Sequence, residues 1–179
     1  MRLLVRLNTC AIGWKNTRRS NELPSRGGIS PAERKGKQMG NRAFIKFEGE
    51  DTGVYLHWNG GRDSVEPFLE YCRLKGFRFD DYGVARFCQV VGNWFGGDLS
   101  IGVQSTKGYS NSDLDPGDNG VYIVMDWKIT GRYPEKTYEQ NEYDPIKFMI
   151  DIDKEQPERD RIGEAYIREH AFPEKGEQK

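Results

Sequence analysis

The densest run of side chains able to do chemistry is Tyr55-Leu56-His57-Trp58-Asn59-Gly60-Gly61-Arg62-Asp63. Two glycines delivering a strand into a helix start leave backbone N–H groups exposed, and Arg62 adds a fixed cation beside them. Such a turn could cradle a phosphate or another anion. Its spacing matches neither the P-loop nor the dinucleotide fingerprint. The competing reading is structural: a tight turn that needs glycine for its backbone angles, with Asp63 paired locally. His57, Trp58, Asn59, Gly60, Gly61, Arg62 and Asp63, with Tyr82 and Arg86 on a later helix, form the candidate set for binding a ligand or partner. No residue is assigned a catalytic role, and no metal or cofactor is expected.

Other constellations point to chemistry less well. His57 with Cys72 or Cys88 invites a thiol-nucleophile reading. Both cysteines fall mid-helix on apolar stripes, where a thiol ionises poorly. The third cysteine, Cys10, leaves an odd number without the spacing of a zinc site or a disulfide framework. Asp80-Asp81 could be a carboxylate pair, but such a pair more simply caps the helix that follows. The stretch from Asp113 through Asp115 and Asp118 superficially resembles a calcium loop, yet it lacks the ligand spacing and the closing glutamate. Tyr109, Tyr122, Trp127 and Tyr133 could form an aromatic surface, although strand alternation must turn some of them inward.

The elements that position these residues begin abruptly. Residues 1–38 carry nine Lys/Arg against two Asp/Glu, with no helical or strand period. Such a segment is expected to remain a disordered basic leader. It ends in Glu33-Arg34-Lys35-Gly36, residues that purine-rich codons specify, just before Met39. That pattern resembles a ribosome-binding site read through, so Met39 is expected to be the true start; intact mass of the natively expressed protein tests this. The remaining residues hold 18 basic against 26 acidic side chains, a net of −8. That charge disfavours direct high-affinity duplex binding. It would suit a surface engaging the basic groove of a nucleic-acid enzyme, with acidic rows from Glu135 through Glu169. No apolar stretch reaches the roughly 20 residues of a membrane span, and the expected location is the cytoplasm of a bacterial host.

From Met39 the pattern is that of a packed domain over 39–172, with 173–179 as a loose tail. Ala43–Phe47 and Gly53–Trp58 read as strands joined by a glycine-rich turn. Ser64 reads as the N-cap of a helix with Pro67 at its third position, stripe Val65, Phe68, Leu69 and Cys72, and stop Gly76. A second helix from about Tyr82 to Phe95 buries Val84, Phe87, Cys88, Val91, Trp94 and Phe95. Leu99, Ile101 and Val103 alternate as a half-buried strand, a polar loop covers Thr106–Asn119, and Gly120–Trp127 is the most apolar strand, extending toward Ile129. Asp144-Pro145 opens a helix that Gln156-Pro157 ends, and an amphipathic helix runs on to about His170. Clustered strands predict an α+β fold: one domain, a mainly antiparallel sheet of four to five strands with about four helices packed on it.

Three segments, Gly53–Glu66, Asp81–Gly97 and Gly120–Arg132, together with the opening Met39-Gly40-Asn41-Arg42-Ala43, resemble a family of small uncharacterised proteins from phages, plasmids and other mobile elements of Gram-positive gut bacteria. They are also similar to type II-A anti-CRISPR proteins of that mobile pool. The resemblance spans most of 39–132 and implies a non-enzymatic binding protein whose partner is a CRISPR nuclease or its nucleic-acid complex. The 38-residue extension is a departure from that pattern. Two alternatives differ in class: an enzyme or binding module for a phosphorylated or nucleotide ligand at Asn59–Asp63, and a self-associating structural or regulatory protein.

Overall fold

Period-two alternation divides the side chains of the sheet between two unlike faces. In the computed structural model, which describes residues 41–97, 99–135 and 143–173, β1 (Ala43–Phe47) sends Ala43, Ile45 and Phe47 into the main core. Phe44, on the opposite face, packs with Val121 and Leu114 in a smaller cluster. The leader 1–38 and residues 174–179 lie outside the described residues, all of which belong to one compact unit, 37–179.

β1 is central. β2 (Thr52–Leu56) pairs with it antiparallel, placing Tyr55 opposite Phe44. After helices α1 (Arg62–Leu74) and α2 (Asp81–Trp94), β3 (Ile101–Ser105) joins the outer side of β2, also antiparallel. A short helix, α3 (Asn111–Leu114), precedes β4 (Val121–Met125), which lies parallel to β1. β5 (Lys128–Tyr133) returns antiparallel along β4, giving the order β3-β2-β1-β4-β5. The chain ends in α4 (Pro145–Glu155), a 3-10 turn at Glu158–Asp160 and α5 (Glu164–His170). The fold is α+β, with three of its four strand pairings antiparallel.

The stripe expected on α1, Val65, Phe68, Leu69 and Cys72, is buried, whereas of the six expected on α2 Val84, Phe87 and Val91 are buried and Cys88, Trp94 and Phe95 only partly so, packed against the core. Asp80 caps α2 by accepting a hydrogen bond from the Gly83 amide at 2.9 Å, and Asp144 caps α4 by accepting from Lys147. Phe47, Phe79 and Trp127 meet edge to face with centroids 5.5–5.9 Å apart. These geometries suit the ring quadrupole and add to the area the rings bury.

Four expectations need correction. α1 begins one turn early, with Gly61 rather than Ser64 at the N-cap, so Pro67 falls in the second turn. Ser64 is instead buried and receives a hydrogen bond from the Asn59 amide. The strand through Gly120–Trp127 stops at Met125, because Asp126 and Trp127 both adopt left-handed angles (φ 48 and 62) and turn the chain into a fifth strand. Two left-handed residues make the turn whose twist fits a two-residue hairpin. Trp127 tolerates this conformation because its ring is buried and its indole N–H donates to the Phe77 carbonyl at 2.8 Å. Leu99 and Val103 do not face a core: Leu99 is fully exposed and Val103 is 63% exposed, as befits a strand at the sheet's edge. Finally, the polar loop after Thr106 contains a helical turn with a complete capping box between Ser110 and Asp113.

Candidate functional site

The glycine turn is held from all sides by its own neighbours. A Cβ on Gly60 would lie 2.6 Å from the Ala43 backbone nitrogen, so only glycine lets the chain cross the start of β1 there. The Gly60 amide donates to the Asn41 carbonyl at 2.8 Å. Asn59 takes a left-handed backbone (φ 55), which asparagine tolerates better than most side chains. The Asp63 carboxylate folds back against Gly61, close enough that a Cβ there would meet its Oδ1 at 2.3 Å. An incoming anion would therefore confront a carboxylate.

Arg62 is committed as well. It pairs with Glu66 one helical turn on, at 3.1 Å, and that hydrogen bond raises its already high pKa. The second oxygen of Glu66 accepts from the Tyr143 hydroxyl at 3.0 Å. Burial, then the charge of Glu66, pushes the Tyr143 phenol well above its usual range. His57 is exposed, with Nδ1 at 2.9 Å from the Tyr55 hydroxyl and its ring edge-on to Trp58 at 4.6 Å. The contiguous candidates His57 to Asp63 thus form one knot that fixes the β2–α1 corner.

Tyr82 and Arg86 lie on α2, and they border a groove of about 390 Å³ lined from α1 by Tyr71 and Lys75. Lys75 follows the last residue of α1, while Arg62 is its first. At 1.5 Å rise per residue the two ends of this helix are about 20 Å apart. The α2 wall of the groove is Tyr82, Arg86, Gln89 and Asn93, a stripe at helical spacing. The opposite wall comes from Gln156, at the end of α4, and from Arg159 and Asp160 in the 3-10 turn.

The polar groups of the groove are ordered by one another. The guanidinium carbons of Arg78 and Arg86 lie 5.0 and 4.8 Å from the Tyr82 ring centre, a favourable cation–π arrangement. Arg86 donates to the Gln89 side-chain carbonyl at 2.8 Å. Asn93 donates to the Gln156 side-chain carbonyl at 2.9 Å, and the buried Gln156 amide donates to the Val90 and Ile152 carbonyls. The Lys75 ammonium donates to the Asp160 carbonyl. Behind this wall the Tyr71 hydroxyl donates to Asp153 at 2.6 Å. The buried Asp153 carboxylate also accepts from the amides of Ile162 and Gly163, tying α1, α4 and the start of α5 together. The charged side chains lining the groove are Lys75, Arg86 and Arg159 against Asp160 alone.

The remaining candidates have structural roles. Cys72 is fully buried and Cys88 partly so, and burial pushes the Cys88 thiol up to about 11 and Cys72 well above its ordinary value. Neither is an activated nucleophile. Asp113 belongs to the α3 capping box, Asp115 accepts from the Gly117 amide, and Asp118 pairs with Arg42 at 2.8 Å. The calcium-like loop is thus a succession of turns. Among the described residues, no three His, Cys, Asp or Glu are grouped so as to hold a metal ion, and no helix is long and apolar enough to cross a membrane. Tyr122 and Trp127 are buried, which leaves Tyr109 and Tyr133 as the exposed members of the aromatic set.

Of the nine candidate residues, then, seven form the β2–α1 knot and two open onto the groove. Lys75, Gln156 and Arg159 escaped the sequence reading because they come from separate segments. Of the polar stripe on α2, Tyr82 and Arg86 were among the candidates, and Gln89 and Asn93 were not. No known protein family, no curated protein and no solved structure matches this chain.

Proposed function

We propose that the protein works by binding, as a mobile-element inhibitor of a host defence nuclease of the type II-A anti-CRISPR kind. The observation that supports this reading is how the groups capable of chemistry are used. The thiols are raised by burial, Arg62 is held by Glu66, and Asp80 and Asp113 cap helices. What the protein offers outward is charge. Glu155, Glu158 and Glu169 stand exposed along the C-terminal segment, interleaved with Lys154, Arg159, Arg161 and an Arg168 that pairs with Glu164, and these acidic groups could oppose the basic nucleic-acid groove of a nuclease. That the nuclease is a type II-A CRISPR enzyme is the expectation raised by the resemblance noted for residues 39–132, and it is carried here as part of the proposal.

A plasmid-protection assay tests the reading. Cells carrying a type II-A CRISPR nuclease targeted to a plasmid should retain that plasmid when they express the full chain. Loss of the plasmid at the same rate with and without the protein removes the proposal. The alternative of an anionic ligand at Asn59–Asp63 is weakened by Asp63 and Glu66, two carboxylates flanking the only cation of the turn.

A further inference from the structure

The groove between α1, α2 and the turn after α4 brings several features together on one surface. Its lining charge is positive, on a body whose residues beyond 38 sum to −8. It has flat cationic surfaces, because Arg86 is held in place by both the Tyr82 ring and the Gln89 amide. A guanidinium fixed in this way is weakly hydrated and stacks readily on π-systems. Gln89 and Asn93, one helical turn apart, each spend one half of the side-chain amide on a protein partner: Gln89 uses its carbonyl and Asn93 its NH2. That leaves an NH2 donor at Gln89 and a carbonyl acceptor at Asn93, two residues that both line the groove. A donor beside an acceptor is what the polar edge of a nucleobase pairs with. Lys75, at the end of α1, donates to the Asp160 carbonyl, and Arg159 pairs with the Asp160 carboxylate at 3.8 Å; the N–H groups that these two cations have left over can meet a phosphate.

We infer that this groove binds a nucleotide unit, an aromatic base carrying a phosphate. The base lies against the Arg86–Tyr82 pair with its edge toward Gln89 and Asn93, and the phosphate lies toward Lys75 and Arg159. A groove of about 390 Å³ holds one such unit and not a duplex. Asp160, on the phosphate side, limits the total charge the groove accepts and favours a single phosphate over a triphosphate. An acidic peptide would use the cations but would leave the amide pair and the flat arginine unemployed. The unit could be a free mononucleotide or one residue of a single strand. The inference stands apart from nuclease inhibition, and either can fail alone.

The test uses the full chain with four probes, followed by titration calorimetry or fluorescence anisotropy: the four nucleoside monophosphates, a ten-nucleotide single-stranded RNA, a duplex of the same sequence, and inorganic phosphate. Saturable binding of a monophosphate identifies a free nucleotide as the source of the unit. Binding of the single strand without the monophosphates identifies a strand. In either case Arg86→Glu should weaken binding at least tenfold and Arg159→Ala about threefold to tenfold, as removal of a stacking or phosphate contact does. Lys107→Ala, an exposed lysine of the α3 loop, should leave it unchanged. Arg159 is exposed and Arg86 half-buried, and circular dichroism of both variants should show the native fold. Failure of every probe to bind overturns the inference. So does phosphate binding as tightly as the nucleotides, duplex binding as tightly as single strand, or affinity indifferent to Arg86→Glu.

Discussion

The two ends of α1 carry similar residue types to opposite effect. At the start, Asn59, Gly60, Gly61, Arg62 and Asp63 gather glycine, amide and charge into five residues, and these groups are answered from within the chain. At the other end, Lys75 meets Arg86, Gln89, Asn93 and Arg159, drawn from two more elements, and these groups line an opening. Density of polar residues along a sequence therefore marks a place where the backbone is crowded. A site able to receive something else needs groups that converge in space with part of their bonding capacity left over.

The sharpest way to break this contrast is Gly60→Ala. Its Cβ would run into the backbone of Ala43, which cannot move without disturbing the central strand. Overpacking of this kind should cost about 3 kcal/mol, read as a fall in the denaturation midpoint. A variant of wild-type stability would show that the corner is loose enough to admit a ligand. Next in size is Asp153→Ala, which removes the buried carboxylate behind the groove and strands the Tyr71 hydroxyl and two amides. A loss of about 2–3 kcal/mol is expected in the same measurement. Tyr71→Phe on the Asp153→Ala background should recover part of it, and a purely additive double mutant would refute the coupling.

The thiol prediction turns on pH. Burial holds the Cys88 thiol near 11, so at pH 8 its thiolate fraction is on the order of a hundredfold below that of an ordinary cysteine. Alkylation by iodoacetamide in the folded protein should be slow at pH 8 and accelerate steadily as pH rises toward that value. Because the unfolded thiol loses its proton first, near its ordinary value of 9.0, stability should decline over the same interval. Rapid labelling of Cys88 at pH 7, located by peptide mass spectrometry so that Cys10 is told apart, would mean an activated nucleophile and would overturn the binding-only reading. The smallest effect belongs to Arg62→Ala. An i,i+4 pair this accessible contributes about 0.5 kcal/mol or less. Thermal denaturation should barely register its loss, and binding at the groove should not change.

Much of the architecture could be read in the sequence because it rests on local rules. The stripe of α1, the Asp80 and Asp144 caps and the inward set of β1 follow from periods of 3.6 and 2 that need no knowledge of distant residues. The misreadings share one cause. β5 was hidden because Asp126-Trp127 does not look like a turn, and only the burial of Trp127 among Phe47, Phe79 and Phe87 makes its left-handed angle tolerable. Ser64 looked like a cap until Gly61 took that place against Asp63. The exposure of Val103 depends on β3 being outermost, which alternation does not reveal. As for the candidate site, Tyr82 and Arg86 were visible on α2, whereas Gln156 and Arg159 approach them only once α4 has docked.

The parallel pairing of β1 with β4 has a consequence for how the chain comes to be folded. Ile45 lies opposite Tyr122, 77 positions later, so the central strand cannot complete both of its ladders until most of the domain has been synthesised. Closing so long a loop is entropically slow. Until then the β1–β2 hairpin leaves the ribosome with one open side and an apolar face waiting for its helices. In the crowded interior of a cell this nascent intermediate, more than the finished protein, is the species most exposed to misassociation.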